Sequence, residues 1–96
     1  MAVILGAGEQ MDTLSSAVPF TTIPGRAQKA KVTVTGPQPI RWREDAGTPT
    51  ASVGHICVQY QSFYVTGRPQ LEGFRVIESD TSSAIFVQYF DHVDDN

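Results

Sequence analysis

Cysteine is nearly missing from this chain, with Cys57 the only one in 96 residues. A single thiol excludes an internal disulfide framework and suits folding in a reducing compartment. Long apolar runs are missing as well. None approaches the roughly 20 residues that a helix needs to cross a bilayer. The opening MAVILGAGEQ places no basic stretch ahead of its short apolar one, so neither a membrane association nor export by a signal peptide is expected. Metal-binding spacings are also lacking. There is no C-x-x-C, H-E-x-x-H or EF-hand loop, and His55, Cys57, His92 and the late aspartates are too scattered to make a site, so no metal and no cofactor is expected.

What remains is the composition of a folded domain: 41% hydrophobic and 18% charged residues, with eight Gly and six Pro to make turns. One domain with one modest core fits this length. Helical spacing is scarce, whereas two-residue alternation recurs in short runs. In QKAKVTVTG, Ala30, Val32 and Val34 share one face and Lys29, Lys31, Thr33 and Thr35 the other, as a half-buried antiparallel strand requires. QPIRWRE puts Ile40 and Trp42 on the core face and Arg41 and Arg43 outside. In GHICVQY, Ile56, Val58 and Tyr60 share a face, which leaves His55 and Cys57 on the outer one. SFYVTGRPQ reads as a strand with Phe63 and Val65 inward, ended by Gly67 and Pro69. GFRVIES follows, then a polar turn, then AIFVQYF with Ile85, Val87 and Tyr89 inward and Phe86 and Phe90 outward. Short strands at this spacing, parted by Gly and Pro, predict an all-β fold: a compact antiparallel β-sandwich or barrel of jelly-roll or immunoglobulin-like type.

The first seventeen residues lack alternation and precede the first credible strand, VPFTTI. They read as an extended N-terminal arm, with residues 18–96 forming the β-domain and its short acidic tail. A terminal segment without a core of its own is ordered only where something ties it down. Val3, Ile4, Leu5, Met11 and Leu14 are therefore expected to contact a partner or to add a strand to a neighbouring sheet. The alternative, an arm folded back on its own domain, stays open.

Charge is segregated around a net −3: Arg26, Lys29, Lys31, Arg41 and Arg43 follow one another with no acidic residue between, and Glu78, Asp80, Asp91, Asp94 and Asp95 crowd the end. A basic face of one chain could meet an acidic segment of another, which steers association. The basic residues and Trp42 also raise nucleic-acid binding, but alternation puts Trp42 on the face opposite both arginines, and the overall negative charge argues against it. Chemistry finds little support. His55 and Cys57 fall on one strand face at i and i+2, a weak pattern for a nucleophile and base. The G-x-G of LGAGEQ has no strand–helix context for phosphate, and the carboxylate pairs Glu44–Asp45 and Glu78–Asp80 sit in turns. No catalytic residue is assigned.

One stretch of motifs does point to a family. Arg41-Trp42-Arg43, the turn from Glu44 through Gly47, Pro49-Thr50, Gly54, Phe74-Arg75-Val76-Ile77 and Val87-Gln88-Tyr89-Phe90 fall in the order seen in small tailed-phage virion proteins. The chain resembles that family over about residues 18 to 90, departing from it by the long N-terminal segment and by Ala46 inserted before Gly47. The resemblance implies a structural protein of the virion, made in the host cytoplasm. Capsid decoration or cement is the favoured role, with head–tail connection, fibre attachment or a receptor- or glycan-binding module as alternatives. It implies the major capsid protein or other virion proteins as partners and a homo-oligomer, such as a trimer at lattice threefold positions. The residues expected to make those contacts are Val3, Ile4, Leu5, Met11, Leu14, Arg41, Arg43, Phe86 and Phe90.

Overall fold

The computed structural model describes residues 4–21, 23–45, 47–50, 53–79 and 83–91. In chain order these hold strands β1 (Ile4–Met11), β2 (Lys29–Val34), β3 (Ile40–Arg43), β4 (His55–Cys57) and β5 (Ser62–Thr66), the helical turn α1 (Arg68–Gly73), and strands β6 (Arg75–Glu78) and β7 (Ile85–Phe90). Two antiparallel sheets result. Sheet A runs β1-β7-β2-β5 and sheet B runs β4-β3-β6. The all-β sandwich expected from the alternation is the fold observed.

Alternation explains which faces meet. Ala30, Val32 and Val34 of β2 pair across the ladder with Tyr89, Val87 and Ile85 of β7, and all but Tyr89 are fully buried. Each of the valines and Ile85 contributes about 1.5 to 3 kcal/mol by leaving water. From sheet B, Ile40 and Val76 close the core. Aromatic rings join the two layers. Trp42 of β3 stacks on Phe63 of β5 with centroids 4.1 Å apart, Phe74 stacks on Phe20 at the same separation, and Tyr89 meets Phe20 edge-on at 5.7 Å. Trp42 is half-buried rather than enclosed, packed against the core from one side.

Four expectations need correction. The first concerns the N-terminal segment: β1 lies along β7 of its own chain, so the segment folds back on its own domain. Met11 and Leu14 belong to the core and are closed to any partner, and the Leu14 carbonyl accepts the Glu78 N–H at 2.9 Å. Its pattern is unreadable as a strand because of a bulge. Leu5 pairs with Tyr89 and Glu9 with Val87, so three residues on β1 span the place of one on β7, and Gly6 (φ 72) and Gly8 (φ 80) supply the left-handed backbone.

The second correction is VPFTTI, whose described residues form no strand. Val18 makes a single antiparallel bridge to Val76, with both N–H groups donating at 2.9 Å, and Phe20 turns into the core. This bridge covers the free edge of β6. Third, α1 follows Gly67 where the sequence suggested only a strand end. Pro69 starts the turn without needing an N–H, Leu71 is fully buried, and Arg68 ties the turn down by donating from Nη1 to the Pro24 and Ala27 carbonyls at 2.7 and 3.2 Å. Fourth, the faces of β4 are inverted: Cys57 points inward opposite Ile40, and Ile56 points out.

Candidate protein-binding face

The outer face of sheet B is set by register. Arg41 of β3 lies directly opposite Ile56 of β4 on one side and Ile77 of β6 on the other, so one cross-strand row reads Ile56, Arg41, Ile77. The next row pairs Arg43 with Arg75. Like charges facing each other in a sheet repel, and the local chain offsets one of them. Arg43 clamps Asp45 through Nε and Nη2 at 3.0 and 2.7 Å, and the Gly47 N–H donates to the same carboxylate at 3.0 Å. Those bonds hold Asp45 below the usual carboxylate range and raise Arg43 in turn. Arg75 turns its Nη1 to the backbone oxygens of Glu72 and Phe74. Arg41 donates from Nη1 to the Gly54 carbonyl at 3.1 Å, while its Nε is buried without a partner.

Beside this face the surface turns apolar. Six large hydrophobic side chains are conspicuously exposed among the described residues, and four of them, Val53, Ile56, Val58 and Tyr60, fall within eight positions around β4. Tyr60 is 79% exposed and has φ 68, the left-handed conformation, which costs a bulky residue about 1 to 2 kcal/mol. It sits third in the turn Val58–Gln61, closed by the Gln61 N–H to the Val58 carbonyl, and its own N–H donates to the Val34 carbonyl at 2.7 Å. Turn chemistry favours Gly or Asn there. The chain thus holds an aromatic ring in water on a strained backbone.

The residues expected to make contacts divide among several places. Val3 lies outside the described residues. Ile4 is exposed on the outer face of sheet A opposite Phe90, Leu5 packs half-buried against the core, and Met11 and Leu14 are interior. Phe86 and Phe90 do point outward from β7, half-buried, but on sheet A, the opposite side of the sandwich from Arg41 and Arg43. On sheet A the Lys29 ammonium lies 4.8 Å from the Tyr64 ring and 5.0 Å from Phe90, which buries the cation while Tyr64 stays exposed. Ile56, Val58, Tyr60 and Arg75 were absent from the expected set. The alternation had grouped the first three on one face, and only the wrong sign of that face concealed them.

Chemistry remains weakly supported. His55 packs its ring against Trp42 at 4.7 Å, and the Cys57 thiol donates to the adjacent Val58 carbonyl while burial raises its pKa, the reverse of what a nucleophile needs. Among the described residues no group of three His, Cys, Asp or Glu side chains is placed to hold a metal, and no helix is long and apolar enough to cross a membrane. A shallow depression of about 200 Å³ beside the end of β1, lined by Gln10, Met11, Asp12, Thr13, Val18 and Thr21, is smaller than the ~300 Å³ at which small-molecule sites begin. No protein-family model, curated protein or solved structure matched the chain.

Proposed function

We propose that this chain is a structural subunit of a tailed-phage particle, a capsid decoration or cement protein that seats the β4 side of sheet B on the major capsid protein or another virion protein. The exposed apolar group Val53, Ile56, Val58 and Tyr60 carries the reading. A small sandwich with a closed core gains nothing by keeping four such side chains, one of them on a strained turn, in water unless a partner covers them. Aromatic and aliphatic anchors beside arginines are what protein interfaces concentrate at their centres. The motif order shared with small virion proteins supplies the setting, and repetition over a lattice would multiply weak single contacts into stable attachment.

The test is incorporation. Particles lacking the subunit should take up the purified chain at fixed stoichiometry, and the double variant Ile56→Ser, Tyr60→Asn, confirmed as folded by circular dichroism, should be taken up at a small fraction of that level. Uptake of the variant equal to that of the unaltered chain would remove the basis for the reading.

A further inference from the structure

Among the described residues, two arginines on the outer face of sheet B, Arg41 and Arg75, meet no carboxylate. Of its three guanidinium groups only Arg43 meets a carboxylate within ion-pair distance among the described residues. Arg75 gives only Nη1 to two backbone oxygens and Arg41 only Nη1 to the Gly54 carbonyl, so neither guanidinium meets a carboxylate. A partner that covers this face takes both guanidinium groups further out of water, and a charge so desolvated needs an acceptor from that partner. Arginine is best met by a carboxylate, which takes two parallel N–H bonds at once.

The two isoleucines narrow the partner. Ile56 and Ile77 flank Arg41 in a single row, about 5 Å to each side by the spacing of strands. A free anion or a sugar–phosphate chain would answer the guanidinium but leave the exposed Ile56 and the half-buried Ile77 uncovered. A purely apolar surface would cover the isoleucines but desolvate Arg41 and Arg75 with no carboxylate to meet them. Only a partner that interleaves carboxylates with aliphatic side chains satisfies both. We propose that the outer face of sheet B binds an acidic, aliphatic segment of a partner protein, with Arg41 and Arg75 taking its carboxylates and Ile56 and Ile77 its apolar groups. This rests on the reading of the β4 side as a docking surface and adds the chemistry of what docks there.

The probe is a blocked synthetic peptide of alternating Glu and Val, labelled for fluorescence anisotropy, beside a second peptide in which every Glu is replaced by Gln. The unaltered full chain should bind the Glu peptide about tenfold or more tightly than the Gln peptide, and the preference should shrink as salt rises from about 50 to about 200 mM. Arg41→Gln with Arg75→Gln should abolish the preference. Equal binding of the two peptides by the unaltered chain would overturn the proposal without reliance on any variant. So would an oligodeoxynucleotide that binds more tightly than the Glu peptide and is lost in the same arginine variant. Uptake onto particles separates the two levels. If the Ile56/Tyr60 variant is excluded while the arginine variant enters normally, the acidic partner is wrong and the docking surface stands. If both enter normally, the docking surface itself is wrong.

Discussion

Tyr60 pays for its place with backbone strain, and that makes it the most informative single residue. Replacing it with Asn, which tolerates the left-handed conformation, should stabilise the isolated protein by about 0.5 to 1 kcal/mol. The urea midpoint should rise with an unchanged slope. The same change should weaken attachment to the partner, so stability and binding move in opposite directions, which no purely structural role would produce. Tyr89 permits a second prediction. Its hydroxyl donates to Glu9 Oε1 at 2.7 Å, and burial together with that carboxylate raises its pKa well above the ordinary 10.0. The unfolded chain releases this proton near the ordinary value, whereas the folded chain holds it. The contribution is therefore complete below about pH 10 and is lost as pH rises beyond it. Urea midpoints measured from about pH 9 to 11 should fall in the unaltered chain and fall less steeply in Tyr89→Phe.

At the scale of elements, legibility followed periodicity. β2, β3 and β5 could be read because apolar residues recur at every second position, and β6 and β7 because short apolar runs stand between Gly and polar turns. β1 could not, since its bulge inserts residues between Leu5 and Glu9 and breaks the period where it would have shown. α1 has six residues and one buried apolar side chain, too little for a 3.6-residue rhythm, although Pro69 after Gly67 was a usable sign of a helix start. β4 has three residues, and in so short a strand the larger Ile56 outweighs Cys57 in any hydrophobic count, although it is Cys57 that faces Ile40. The candidate face was half-legible for the same reason: Arg41 and Arg43 were assigned outward correctly, whereas Ile56 and Tyr60 were hidden by that inversion. Two tests address β1. Gly8→Ala would place a Cβ 2.5 Å from the Val87 carbonyl oxygen at φ 80, and should cost about 1 to 3 kcal/mol in urea unfolding. Removing residues 1–11 strips β7 of a neighbour and the core of Met11, so the remaining chain should lose its cooperative transition altogether.

Across the whole molecule, the two sheets are joined by rings rather than by covalent staples. Trp42 stands on Phe63, and Phe74 lies within stacking range of both as well as of Phe20. Stacked pairs contribute about 0.5 to 1.5 kcal/mol beyond the area they bury. Trp42→Ala should therefore cost about 3 kcal/mol, near the lower end for a truncated aromatic, because Trp42 is only half-buried. Calorimetry should show a depressed transition that remains single. A much smaller loss would mean that the sheets are held together elsewhere.

The edges of the two sheets carry a final implication. One margin of sheet A is kinked by paired glycines, one margin of sheet B is occupied by Val18, and the opposite margin of sheet B is only three residues long. The remaining margin, β5 of sheet A, is five residues long, and a pairing of two copies through that one open edge leaves neither a further edge on which fibres could grow. Strand-to-strand growth through identical copies would therefore stop at two molecules.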